Sequence, residues 1–442
     1  MNIHWFSPLP PSRSGIALHT AALVPELAKR GRLTLWTDQD GWDARLGEAA
    51  EVRQFRAPDV PWPELNRADL VVYNLGNHPL HEGAWEISRR HSGIVVLHDL
   101  CMHHFFAEVF LTRRRDAARY RAEMARWYGQ PGTDAAARCI AAPSCIADAA
   151  ARFPLRELAA GNALGVVVHT PGACQMLARE GLTPSMCLPL PAPSAITPAA
   201  PAIAEARQAP PYRIVAFGLF GSNRRLGSFF DAWAGLDRPD LFRMDICGEF
   251  LDVSLLESLK RSPVSKLVTF HGYVDELRLR DLLSEAHLSV NLRWPSMGEA
   301  SGTQLLTWQH ALPALVTKTG WYASCPDGTV AFVRPEEEIA DIRAHLIAFL
   351  ESPGRYRQMG ERGYEHVARE HSCSRYADEL MNFAEIARRS SLRGVRLRMA
   401  DRAVAEMLAW VPEGAAGSLL DRVSAELSAL AAPVARSHTA GR

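Results

Sequence analysis

A carboxylate, Glu299, stands in the run Gly298-Glu299-Ala300-Ser301-Gly302. Ahead of it, the apolar residues Leu288-Ser289-Val290-Asn291-Leu292 suit a short buried strand. Behind it, Thr303 to Leu312 suits a helix that Pro313 stops. A strand, a glycine-bearing loop and a helix start place free backbone N–H groups at the carboxyl edge of a sheet. That edge is where an open α/β sheet holds a phosphorylated ligand. A solvated Glu in a surface loop is the plainer reading, and the glycine and serine around Glu299 favour the functional one. Arg224 and Arg225 supply the matching charge. They follow the strand Arg213 to Gly218 and the loop Leu219-Phe220-Gly221-Ser222-Asn223. A guanidinium holds a diphosphate in two-pronged fashion. Two arginines at a helix start are unfavourable unless an anion is near. Gly15 closes the Pro-rich loop Ser7 to Ser14 and opens another helix start that could face a phosphate or sugar.

Other polar groups sit where apolar runs end. Gly93 to Leu97 leads into His98 and Asp99, with His103 and His104 close behind. Val166-Val167-Val168 leads into His169 and Thr170. Polar residues at the end of a buried parallel strand point towards the cleft. His98, Asp99, His103 and His104 have no common metal-ligand spacing, so they read as cleft-lining groups. A hydrogen-bonded core histidine competes at His98. Asp38-Gln39-Asp40 has the D-x-D form of metal-dependent sugar-nucleotide enzymes, but two Asp after a strand are an ordinary turn. No metal is expected. Tyr273 and Val274, after the strand Lys266 to Gly272, could lie against a nucleobase.

The elements that carry these residues alternate. Strands are expected at Ile3–Phe6, Leu33–Thr37, Leu70–Leu75, Gly93–Asp99 and Val166–Thr170, and again at Arg213–Gly218, Met244–Gly248, Lys266–Gly272, Leu288–Leu292 and Ala314–Thr317. A Pro/Ala-rich stretch from Pro189 to Ala204 divides the two series and reads as a linker. Two α/β halves, each opening with a strand and a glycine loop, predict twin Rossmann-like domains with a cleft between them. The 442 residues suffice for this. Lys plus Arg equals Asp plus Glu, at 49 each, which gives no reason to expect nucleic acid. Met1 to Phe6 shows no basic region followed by an apolar run, so no signal peptide is expected. No stretch of about 18 apolar residues predicts a transmembrane helix. Eight scattered cysteines, with no C-x-x-C pair, suit a reducing cytoplasm. Arg113-Arg114-Arg115 reads as a solvated face that could also meet anionic lipid at the inner membrane face.

In this order, the Gly15 loop, His98-Asp99, the Gly218-to-Arg225 loop, Phe270 to Val274 and Pro295-Ser296-Met297-Gly298-Glu299-x-Ser-Gly resemble the retaining glycosyltransferases of family 4. The resemblance covers roughly residues 1 to 385, and its second half is the more specific. It implies the α/β two-domain fold called GT-B. Residues 1–195 would form the acceptor side, 196–370 the donor side, and 371–442 extra C-terminal helices, the first crossing back to the first domain. It implies metal-independent transfer of a sugar, with retention, from a nucleotide diphosphate sugar such as a UDP- or GDP-sugar. That donor is a co-substrate, and no cofactor is implied. The acceptor would be a saccharide or lipid-linked saccharide, as in cell-surface polysaccharide or glycoconjugate synthesis.

By position, Glu299 would lie beside the donor sugar and His98 would face it. Arg224 would neutralise the diphosphate. Gly15, Gly218, Arg225, Tyr273, Val274, Ser301, Gly302 and Thr303 would line the donor, and Asp99, His103 and His169 the acceptor side. Two positions depart from the pattern. Leu219 follows the strand glycine where an Arg is common, and Arg225 could substitute. Thr307 stands where a second Glu usually reads the ribose. Two other classes stay open: a sugar-nucleotide epimerase on the same fold, and a non-catalytic protein that binds a nucleotide sugar. Beyond the resemblance, Leu392–Trp410 and Leu419–Leu430 could be amphipathic helices, with packing as the default.

Overall fold

Apolar runs of four to six residues become strands buried on both faces, as parallel sheets require. The computed structural model describes residues 1–56, 59–180, 183–192, 209–296 and 298–389. The first sheet holds β1 (Asn2–Phe6), β2 (Arg32–Thr37), β3 (Glu51–Gln54), β4 (Leu70–Leu75), β5 (Ile94–Leu97), β6 (Gly165–Val168) and β7 (Ser185–Cys187). The second holds β8 (Tyr212–Phe217), β9 (Phe242–Cys247), β10 (Val268–Gly272), β11 (Leu288–Asn291), β12 (Ala314–Thr317) and β13 (Ala331–Val333). All pairings are parallel. The orders are β3-β2-β1-β4-β5-β6-β7 and β10-β9-β8-β11-β12-β13. Both begin as a Rossmann sheet does, so each has a switch point, at β1/β4 and at β8/β11. Ligands of such sheets bind outside the carboxyl ends of the strands at that point.

Period-2 alternation divides the first domain's core. Leu70, Val72, Ile94 and Val96 face one apolar cluster with Ile3, Trp5 and Leu27. Val71, Tyr73, Val95 and Leu97 face the other with Phe6, Trp85 and Phe105. A helix at residues 373–389 completes the first of these clusters. Its Cys373, Tyr376, Leu380, Phe383 and Ala387 pack there, far in sequence from the strands that they cover. Gly165 makes room for it: a Cβ there would stand 2.8 Å from Phe383 Cζ and 2.9 Å from Ala387 Cβ. Gly165→Ala is therefore expected to lower stability by about 1–3 kcal/mol, the scale of an overpacked core. The midpoint of denaturant unfolding checks this, and an unchanged midpoint would contradict the close approach.

Residues 193–208 carry most of the expected linker and the expected boundary at 195/196. Residues 390–442 carry the two expected amphipathic helices. Both stretches lie outside the described residues. Among the described residues no helix is long and apolar enough to cross a membrane. The arginine run is partly neutralised within the fold, since Arg113 pairs with Glu82 at 2.9 Å and Arg114 with Glu82 and Glu86.

Candidate active site

The loops after β8 and β11 bring cations, a carboxylate and a helix start to one switch point. β11 ends in Asn291, which is buried and acts as the hub. Its Oδ1 accepts from Arg224 Nη1 at 3.0 Å and from Thr303 Oγ1 at 3.1 Å. Its Nδ2 donates to Ser301 Oγ at 3.3 Å and Gln304 Oε1 at 3.2 Å. Arg224 is only 4% exposed and also donates from Nη2 to the Phe217 carbonyl at 2.7 Å. These bonds use two of the five guanidinium N–H donors. Burial pushes the Arg224 pKa down to about 10, with Arg293 adding to the effect, so the group is still a cation at neutral pH. Gly218 has φ +113, and a Cβ there would crowd Arg224 and Thr303 at 3.4 Å.

Ser301 caps the helix Gly302–Gln309, accepting from the Gln304 amide at 3.1 Å. The first-turn amides of Gly302 and Thr303 have no acceptor within the helix and carry its positive end. Two residues after β11 stands Arg293, whose Nη1 lies 2.9 Å from Glu299 Oε1, with both side chains under 20% exposed. Burial works against the Arg293 charge, but Tyr322 and Glu299 outweigh it and raise its pKa. Gly298 has φ +84, and a Cβ there would stand 2.9 Å from Leu100 Cβ. The Glu299 loop thus presses against the first domain just beyond His98 and Asp99. Asp99 receives the Asn77 amide at 2.8 Å. Burial pushes its pKa up to about 6; the Asn77 bond opposes this and Glu299 adds to it.

The other predicted residues divide. Tyr273 is exposed, and Arg13 of the first domain covers its ring at 3.9 Å while pairing with Glu249 at 2.5 Å. Val274 packs inward with Val215 and Phe217. Ser14 caps the helix Gly15–Ala28, and a Cβ on Gly15 would meet nothing within 4 Å. Arg225 points elsewhere, gripping Glu338 with a closest approach of 2.7 Å. Gln39 of the D-x-D run holds Leu9 through both its backbone N and O, and Asp40 pairs with Arg56. Gln39 thereby fixes the Ser7-to-Ser14 loop against the turn that follows β2.

Two expectations need correction. His103 does not face an acceptor: it is fully buried, with Nδ1 donating to the Phe153 carbonyl and Nε2 at 2.6 Å from Tyr120 Oη. Thr307 is not at a ribose: it is fully buried, and its hydroxyl donates to the Thr303 carbonyl at 2.8 Å. Thr307→Val should therefore leave nucleotide affinity within about twofold of the natural value. Calorimetry with a nucleoside diphosphate checks this; a loss of tenfold or more, about 1.4 kcal/mol, would return the residue to the ribose.

His98 and His169 do come together, with a residue that the spacing did not suggest. His19, on the helix Gly15–Ala28, stands with its ring centroid 4.8 Å from that of His98 and 5.6 Å from that of His169. Burial holds His19 and His98 well below the ordinary imidazole value and His169 at about 4. His104 lines a separate cavity of about 430 Å³ with Asn77, His78 and Glu108. Asn291, Arg293 and His19 are the residues that sequence reasoning missed. A polar residue inside an apolar run marks Asn291, and a base directly after that run marks Arg293. His19 carries no such signal.

No protein-family model and no curated protein matches the chain. Solved structures do. HepE of Anabaena, in complex with UDP and glucose, is 13% identical with a TM-score of 0.59, covering 86% of this chain and 98% of its own. Sucrose-phosphate synthase from Thermosynechococcus elongatus is 15% identical with a TM-score of 0.59, covering 86% and 98%. WaaG, a glycosyltransferase involved in lipopolysaccharide biosynthesis, is 13% identical with a TM-score of 0.58, covering 87% and 99%. At these identities the likeness speaks for architecture, and with the two sheets and their strand orders it gives this chain the GT-B fold.

Proposed function

We propose that the protein transfers a sugar from a nucleotide diphosphate sugar to an acceptor hydroxyl, with retention at the anomeric carbon. The observation that carries this reading is the convergence at the β8/β11 switch point. Arg224, the Arg293–Glu299 pair and the start of the helix Gly302–Gln309 meet there, beside Asp99 and Leu100 of the other domain. Departure of the diphosphate breaks the bond from its oxygen to the anomeric carbon and leaves negative charge on that oxygen. Arg224, Arg293 and the amides of Gly302 and Thr303 are placed to stabilise that charge as it forms. The sugar becomes cation-like, and Glu299 supplies the carboxylate on that side. The acceptor oxygen forms the new bond, and its proton passes to the departing phosphate oxygen. Tyr273, which is exposed, is the group offered to the nucleobase, while Val274 supports it from the core.

The UDP-containing structures of HepE support a UDP-sugar as the first donor to try. The printed role of WaaG supports a saccharide or lipid-linked saccharide acceptor in surface glycoconjugate synthesis. Eight free thiols support a cytoplasmic setting. Incubation with nucleotide diphosphate sugars, with and without a panel of acceptors, tests the reading. Nucleotide release that depends on an acceptor is expected. A sugar inverted at one carbon without acceptor would instead identify an epimerase, and donor binding with no release or inversion a binding protein.

A further inference from the structure

We propose that His19, His98 and His169, closed by Tyr376, form a zinc site in the first domain. Among the described residues, these three histidines are the group whose potential ligand atoms gather within 4.8 Å of one another. A tetrahedral zinc with Zn–N bonds of about 2.0–2.1 Å needs nitrogens about 3.3 Å apart, so an entering metal must draw the rings together by up to about 1.5 Å from the 4.8 Å spacing. The histidines come from three elements: the helix Gly15–Ala28 and the residues that follow β5 and β6. Tyr376, on the helix at 373–389, stands over them with ring centroids 5.5 Å from His19 and 6.0 Å from His169.

The hydrogen bonds leave lone pairs turned into this cluster. Asn74 Nδ2 donates to the Phe6 carbonyl at 3.1 Å, so its Oδ1 is the acceptor 3.1 Å from His98 Nε2. His98 Nε2 then carries the proton and Nδ1 the lone pair. His169 Nδ1 donates to the Leu188 carbonyl at 3.0 Å, which leaves Nε2 as the ligand atom. That nitrogen is buried and has no hydrogen-bond partner. Neither ring nitrogen of His19 has one, nor has Tyr376 Oη. His19 is 6% exposed and His169 3%. Buried polar atoms are rarely left unpaired, and here four belong to this one cluster of rings: both nitrogens of His19, His169 Nε2 and Tyr376 Oη.

Ring nitrogens oriented by an N–H bond to a carbonyl or amide oxygen are the usual support of metal-bound histidines. Burial keeps these imidazoles unprotonated, the form that binds metal. Imidazole ligands suit zinc among several metals, and a closed four-ligand set suits a structural site. Burial raises the Tyr376 pKa, so it binds as the phenolate only as the entering metal's charge offsets that cost and its proton leaves; bound, it ties the crossing helix to the first sheet. The spacing of His98, Asp99, His103 and His104 hid this site, because His19 lies far away in sequence.

The test uses the full chain, made without a histidine tag and purified without chelator. Elemental analysis should find about one zinc per chain, and folded His19→Ala and His169→Ala should each retain less than about a tenth of it. Should either variant fail to fold, the natural protein decides. Removing metal with a strong chelator should lower its melting temperature, and added Zn²⁺ should restore it. Cobalt in its place should show the visible bands of a four-coordinate site, altered in Tyr376→Phe. Absence of bound zinc together with no thermal response to Zn²⁺ or Co²⁺ would overturn the site. So would a folded His19→Ala that keeps the natural zinc content. Identical cobalt bands in Tyr376→Phe would remove Tyr376 from the ligand set.

Discussion

Glu299→Gln folds, binds the donor and turns over about a hundredfold more slowly, or worse. The side chain keeps its shape, and its amide oxygen can still face Arg293, which lies 2.9 Å from the carboxylate. Only the negative charge is lost. A fixed charge aimed at a transition state is worth roughly a hundred- to a thousandfold in turnover. The direction of the donor effect discriminates further. Without its carboxylate partner, Arg293 holds an uncompensated positive charge near Arg224, which favours a diphosphate. The Michaelis constant for donor should hold or fall while kcat drops. Melting temperature, kcat and KM measured on one preparation decide the matter. Unchanged turnover would remove Glu299 from the chemistry, and a raised KM with normal kcat would make it a ground-state contact only.

Arg224→Ala weakens nucleoside diphosphate binding by roughly ten- to 150-fold and leaves nucleoside binding alone. Charge-assisted bonds to a diphosphate contribute about 1.5–3 kcal/mol, and the nucleoside has no phosphate to lose. The same change also costs stability. The Phe217 carbonyl loses a buried donor, at about 1–3 kcal/mol for a group left unpaired, while Asn291 Oδ1 loses one of its two donors and keeps Thr303. Thermal unfolding must therefore be read first, and calorimetry done well below the new midpoint. Arg225→Ala is the natural comparison. Its partner is Glu338, which is 6% exposed, so it should lose stability and keep diphosphate affinity. Equal diphosphate affinity before and after the loss of Arg224 would return that residue to a purely structural role.

The strands that hold the site were legible because burial on both faces writes continuous apolar runs. Leu70–Leu75 and Ala314–Thr317 appear in the sequence with the bounds that they have in the fold. The strands Glu51–Gln54, Ser185–Cys187 and Ala331–Val333 escaped notice, being three or four residues long and, for the first two, only half buried at a sheet edge. Side-chain partnerships were less legible. The Gly-Glu-x-Ser-Gly run marks Glu299, but nothing local says that Arg293 turns back to it. Arg224 and Arg225 are neighbours of one type, and a left-handed φ of +54 at Arg225 sends them to different partners. His103 and His98 both follow the same strand, yet one enters a core and the other meets His19 across a helix. Spacing along the chain carries no record of such meetings, because they depend on which elements the crossovers bring side by side.

The helix at 373–389 gives this protein a particular birth order. Ile3, Trp5, Val72 and Val96 leave the ribosome early, yet the residues that cover them, Tyr376 to Ala387, come near the end of the described chain. During synthesis the helix Gly15–Ala28 can cover part of this face, but the rest must wait uncovered while the whole second domain is made. Domains generally fold as they emerge, and exposed apolar surface on such intermediates invites aggregation. Here the early half can gather its other face, around Trp85 and Phe105, but this one only in part. A nascent chain stalled before residue 373 would therefore be the form that most needs a chaperone, and a C-terminal truncation would harm the oldest part of the fold rather than the newest.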